Sequence, residues 1–405
     1  MFRLHSRTRS GPRRHVLLGA ATAAALLAAA APAQAAPFVY VVNGGGTLSQ
    51  YDVGSGGLLA PLVPPTVATG DFPVGVAISP DGGSVYATNS GMDEALDTVS
   101  QYDVGAGGAL SPKSPPTVAA GSGPFGVAVN PDGDSVYVGN LGSDTVSQYD
   151  VGAGGALSPK SPPTVAAVDN PFGVAVSPNG QSVYVANAVS SGGGVSQYDV
   201  GSGGALTPKS PPKVPTGGVP VEVAASPDGH SVYVTNGLGH SVAQYDVGSD
   251  GALTPKSPAT VGAGAGPTGI AVSPDAKSVY VANIDSDNVS QYDVGSGGAL
   301  TPKSPAAVAA ARGPFGVAVN RDGGSVYVTN AFSDAVSQYD IGSGGLLSPK
   351  SPPTVATGHG PREVAVSPVA RVPTSKRQCK HGGWRLFGFK NQGQCIRFVK
   401  HGPKA

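Results

Sequence analysis

The chain has 405 residues, with 25 basic and 25 acidic side chains, 61 Gly, 38 Pro and two Cys. That balance hides a division: residues 1–35 hold 5 basic and no acidic groups, 37–370 hold 11 basic and 25 acidic, and 371–405 hold 9 basic and no acidic. A central region near −14 excludes nucleic acid as its ligand, because a phosphate backbone needs a basic footprint.

Residues 1–35 read as a secretory signal. Arg3, Arg7, Arg9, Arg13 and Arg14 form a basic start, Val16 to Ala31 is apolar, and Ala33-Gln34-Ala35 offers a small-x-small cleavage site. The apolar run is shorter than the ~20 residues of a membrane span. Arg13-Arg14 also permits twin-arginine export. An extracellular or cell-surface location follows as the expectation.

From Phe38 to Pro368 one phrase recurs: "PFGVAVSPDG", "SVYVTN", "VSQYD", a Gly-rich turn, then "ALSPKSPPTV". The Asn closing the second phrase falls at Asn43, Asn89, Asn140, Asn187, Asn236, Asn283 and Asn330, in steps of 46, 51, 47, 49, 47 and 47 residues. Such a period, with several short strands per unit, marks a β-propeller. Each unit reads as a four-stranded antiparallel blade. The first strand (Gly126 to Val129 in one copy) suits the crowded axis, and Pro131-Asp132-Gly133 turns the chain. The second (Ser135 to Gly139) carries Val-Tyr-Val, and the third spans Val146 to Val151. The fourth holds "SPKSPP", where prolines remove ladder donors, so it belongs outermost. Its lysines (Lys113, Lys160, Lys209, Lys256, Lys303, Lys350) are expected on an exposed edge, guarding it against aggregation. The repeated "QYD" aspartate is expected to cap the following turn, and the Tyr residues to pack the blades.

The repeat region enters at Phe38 in a second strand and leaves after a lone first strand, Pro361 to Ser367. Together they make one blade, so we expect an all-β, seven-bladed ring closed by its last inner strand. The expected domains are 1–35 signal, 36–370 propeller and 371–405 a basic tail. In the tail, Cys379 and Cys395 flank the sole Trp, Trp384. In an exported chain this pair reads as a disulfide, stabilising by roughly 3 kcal/mol in the chain-entropy model. A zinc site on Cys379, His381, Cys395 and His401 is the alternative, with spacing irregular for zinc.

The repeated "P-x-G-V-A-V-S-P-D-G…V-Y-V-x-N", with "SVYVTN" at 231–236 and 325–330, resembles the YVTN-repeat propellers, relatives of the seven-bladed lactonases typified by 6-phosphogluconolactonase. That resemblance covers Phe38 to about Pro368 and implies the fold; the family includes surface-layer proteins as well as hydrolases. The tail segment "QCKHGGWRLFGFKNQGQC" resembles a C-terminal module of other secreted bacterial proteins. The run "GHGPREVAVSP" (358–368) is similar to the lactonase motif in which Pro-Arg-His opens an inner strand, with Glu363 standing at the His position.

A site should show where copies deviate, since a residue shared by seven blades is structural. The loop before each inner strand carries Asp71, Ser122, Asp169, Gly218, Ala265, Arg312 and His359 at its variable position. Two residues into the strand, Gly75, Gly126, Gly173, Gly269 and Gly316 become Glu222 and Glu363 in the other two copies, and Arg362 precedes the second. Three blades apart, the glutamates are expected on nearly opposite sides of the mouth. A lactonase needs an acid or base for water and a cation for the oxyanion; Glu222, Arg362 and Glu363 are the catalytic candidates, and Asp71, Asp169, Arg312 and His359 the ligand-binding rim. The plainer alternative is a set of salt bridges at the seam. Near-identical blades favour a non-catalytic, monomeric scaffold that presents its mouth or rim to a protein, glycan or small molecule. The alternative is a lactone hydrolase. No cofactor or metal is expected, since no ligand spacing is visible.

Overall fold

The computed structural model describes residues 37–91, 97–189 and 193–368, together with 393, 396 and 397. The signal, Cys379, Cys395 and their alternative zinc set lie outside the described residues. Within them the chain forms 28 strands, β1 to β28 in chain order, in seven four-stranded antiparallel sheets. No helix among the described residues is long and apolar enough to cross a membrane.

Blade 1 combines β28 (Pro361–Val366) with β1 (Phe38–Asn43), β2 (Thr47–Val53) and β3 (Leu59–Ala68). Val39 pairs with Val366 and Val41 with Val364, so the last inner strand closes the ring as the strand count requires. The other inner strands are β4 (Pro73–Ile78), β8 (Pro124–Val129), β12 (Pro171–Val176), β16 (Pro220–Ala225), β20 (Pro267–Val272) and β24 (Pro314–Val319), which open blades 2 to 7.

The second strand of every blade is buried along all or nearly all of its length, because neighbouring blades cover both of its faces. This explains an apolar Val-Tyr-Val run in place of strict alternation. Seven clusters, each shared by adjacent blades, form the core. Each contact is also stitched by polar groups. The Tyr137 hydroxyl donates to the Gly204 carbonyl of the next blade at 2.7 Å, and Tyr149 to the Ala119 carbonyl of the previous one at 2.8 Å. Gln148 accepts from Leu206 N at 3.0 Å and donates to Pro162 O at 2.9 Å.

The lysines correct the sequence reading. Lys160 is 7% exposed, and its ammonium pairs with Asp150 and donates to the Gly203 carbonyl of the next blade at 2.6 Å. The same peg recurs at Lys113, Lys209, Lys256, Lys303 and Lys350. So these lysines lock blade to blade, and the "QYD" aspartate is their counter-ion. The outer-strand prolines do face solvent. Blade 1 has Leu62 where the others have Lys.

Candidate functional site in the central channel

Inner strands approach one another so closely that their third residue has no room for a side chain. A Cβ on Gly126 would lie 2.4 Å from Phe172 O, and one on Gly269 2.5 Å from Phe315 O. Glycine is therefore the default there. In blades 5 and 1 the position is Glu222 and Glu363, and each side chain lies back over the preceding blade's glycine. A Cβ on Gly173 would meet Glu222 Oε1 at 2.3 Å, and one on Gly316 would meet Glu363 Oε1 at 3.0 Å. The glycine of one blade makes room for the carboxyl of the next.

Both carboxyls line one cavity of about 140 Å³, with Val74, Val127, Val174 and Ile270 among its walls. The expectation of opposite sides holds for the blades, but the channel is narrow enough for the charges to act on each other. Each side chain keeps part of its surface open, yet what it opens onto is this cavity, with dense protein elsewhere. Each carboxyl's hydrogen bond is local: Glu222 Oε1 accepts from Val223 N at 3.1 Å, and Glu363 Oε1 from Val364 N at 3.3 Å. Burial raises the pKa of both well above the usual carboxylate range, and the charge of Glu222 raises Glu363 further. Two carboxyls lining one cavity hold one proton between them more readily than two charges.

Arg362 forms no ion pair with Glu363, contrary to the seam alternative. Its guanidinium lies over the Phe315 ring, 5.7 Å from the centroid, and burial lowers its pKa. A Cβ on Gly44 would lie 3.8 Å from its Nε, which puts it at the entrance. The rim candidates do not converge on one point. Arg312, His359 and Asp71 belong to the adjacent blades 7, 1 and 2, while Asp169 stands apart at blade 4. His359 Nδ1 lies 3.1 Å from Asp334, which also accepts from Gly360 N at 2.8 Å; these contacts hold the Asp334 carboxyl below its usual range.

Two features escaped the sequence reading. Phe125 and Phe172 meet with ring centroids 3.5 Å apart, and Phe125 reaches the cavity. Phe72 occupies at positive φ a turn position that holds Gly or Asn in five other blades and Val219 in blade 5; its bulk before Pro73 was the available signal.

A propeller with a paired-carboxyl channel is thus the class that fold and site define. Residues 143–355, over half the chain, match the family described as "Lactonase, 7-bladed beta-propeller". The chain belongs to that family. Among solved structures, a Bacteroides fragilis protein provisionally described as a 6-phosphogluconolactonase is similar at 19% identity and TM-score 0.71, covering 84% of this chain and 99% of that one. The periplasmic gluconolactonase PpgL of Pseudomonas aeruginosa is similar at 19% identity and TM-score 0.67 (82% and 99% covered). A functionally unknown protein of Desulfotomaculum acetoxidans follows at 17% and 0.63 (82% and 99%). At these identities the structural likeness shows the fold. No curated protein matches the sequence. Membership of a lactonase family overturns the non-catalytic scaffold that the near-identical blades suggested. That argument failed because near-identical blades still leave room for single exchanges: at two of seven inner-strand positions glycine is replaced by Glu222 and Glu363, with the other repeats intact.

Proposed function

We propose that this protein is a lactone hydrolase that opens a small lactone at the channel. The observation that carries the reading is the pair Glu222 and Glu363, two carboxyls with raised pKa lining one cavity. The ionised member of the pair, assigned to Glu222, takes a proton from water as its oxygen attacks the lactone carbonyl carbon. The protonated member, assigned to Glu363, gives its proton to the ring oxygen as the acyl C–O bond breaks, and a hydroxy acid leaves. Arg362 is the cation at this end, poised to offset charge developing on the carbonyl oxygen. The cavity holds little more than water and the reacting group, so the rest of the substrate lies at the mouth.

The family and the gluconolactonase name of a structural neighbour support a sugar-derived lactone as substrate. Export through the N-terminal signal, in keeping with that neighbour's periplasmic description, would place the reaction outside the cytoplasm. The decisive experiment follows proton release from lactones, above the spontaneous rate, with purified protein lacking residues 1–35. Glu222→Gln and Glu363→Gln should each lower kcat by about 10²-fold or more. Absence of turnover, or turnover unchanged in both variants, would sink the reading.

A further inference from the structure

Phe72 stands in the turn that enters blade 2 with φ of 46°. In five of the other six blades the equivalent residues are Gly123, Asn170, Gly266, Gly313 and Gly360, all at positive φ; blade 5 has Val219, which is not among the positive-φ residues. Glycine takes this conformation without steric cost, whereas for a bulky residue it is a genuine outlier. The turn is pinned, since Ser90 N donates to Phe72 O at 3.1 Å. Nor does the core require the ring, which is 46% exposed. A strained aromatic that packing does not need points to a role for the ring itself.

Phe72 and the exposed Asp71 wall a depression of about 250 Å³ whose floor is Gly44, Gly45 and Gly46. This hairpin has no side chains, whereas its counterparts carry Leu141, Ile284 or Phe332. Arg362 also borders Gly44, and Glu363 follows it in β28. The depression therefore adjoins the entrance to the carboxyl pair.

We propose that this depression is a subsite for a second sugar ring, and that the substrate is the lactone of a disaccharide. The lactone ring sits over the channel, and the attached pyranose lies on Phe72. An aromatic face suits the C–H face of a pyranose, and the Asp71 carboxylate accepts from neighbouring hydroxyls. The bare glycine floor lets a flat ring descend. Asp71 disfavours a phosphate here, so the second ring is neutral. This assignment rests on the hydrolase reading of the adjoining channel.

The test compares kcat/KM for lactobionolactone and gluconolactone in wild type, Phe72→Gly, Asp71→Asn and a remote outer-strand control, Val63→Ser. The ratio of disaccharide to monosaccharide should fall about tenfold or more in the first two variants and hold in the control. Phe72→Gly should also melt higher, because glycine relieves the positive φ, so lost folding cannot explain a lost preference. Calorimetric binding of lactobionate, the hydrolysis product, should follow the same order. An unchanged ratio and unchanged lactobionate binding in Phe72→Gly would overturn the subsite, as would capture of an alkylammonium probe in place of lactobionate. If wild type opens no lactone yet binds lactobionate in a Phe72-dependent way, the hydrolase reading falls and the sugar subsite stands.

Discussion

Cutting the lysine peg from either side should give unequal losses. The Lys160 side chain is 5% exposed, while that of its partner Asp150 is 57% exposed. Lys160→Met removes the ammonium, leaves Asp150 in water and leaves Gly203 O short of one donor. Losing a charge-assisted bond while recovering the ammonium's desolvation cost should destabilise by about 1–2 kcal/mol. Asp150→Ala instead leaves a buried ammonium with no counter-charge. Breaking a buried pair this way costs about 3–5 kcal/mol, but water reaches Asp150, so about 2–3 kcal/mol is the better expectation. At roughly 2 °C per kcal/mol for a domain of this size, the aspartate variant should melt a few degrees below wild type and below the lysine variant.

Thermal melts of wild type, Lys160→Met and Asp150→Ala, each in low and high salt, check this. Nature supplies a precedent for the milder change, since Leu62 occupies the lysine position in blade 1. The difference between the variants should persist in high salt, because buried charge is weakly screened. If Asp150→Ala is no worse than Lys160→Met, the ammonium is not desolvated and the peg is an ordinary surface ion pair.

Deleting residues 361–405 should collapse cooperative unfolding of the whole ring, because β28 is lost, whereas deleting 376–405 should leave the melt intact; equal behaviour in calorimetry would refute closure by β28. Burial raises the pKa of Glu222 and Glu363, so the native state holds their protons more tightly than the unfolded chain does. Their stabilising contribution is therefore complete below the unfolded value of about 4.3 and fades as pH rises through the raised folded values. Glu363→Gln should accordingly match wild type near about pH 4 and melt higher in mildly alkaline buffer; a melting difference independent of pH would show that the carboxyl is not desolvated. Activity, if one carboxyl must be protonated and the other ionised, should follow a bell in pH, with the acid limb reporting the base and the alkaline limb the acid. A flat profile across that range would remove the pair from the chemistry.

Which of these features the sequence could disclose follows from how far each one reaches along the chain. The repeat, the turn residues and the split first blade are local patterns, so blade number and ring closure were legible, as was the exchange of Gly for Glu222 and Glu363. What needed coordinates were contacts between blades. Lys160 sits in a proline-rich outer strand and reads as an edge charge, because its carbonyl partner, Gly203, lies 43 residues away in a turn with no distinctive chemistry. Blade counting puts Glu222 and Glu363 on opposite sides, yet whether opposite groups interact depends on channel width, which close approach at the inner-strand glycines sets. Phe72 shows the converse. Its bulk before the proline is visible in the sequence, as is that of Val219 in blade 5, but only the positive φ and the exposed ring distinguish a strained aromatic from an ordinary substitution. In a chain this regular, side chains that repeat build the ring, and a departure acquires chemical meaning when the ring geometry brings it to the axis or leaves it strained at the rim.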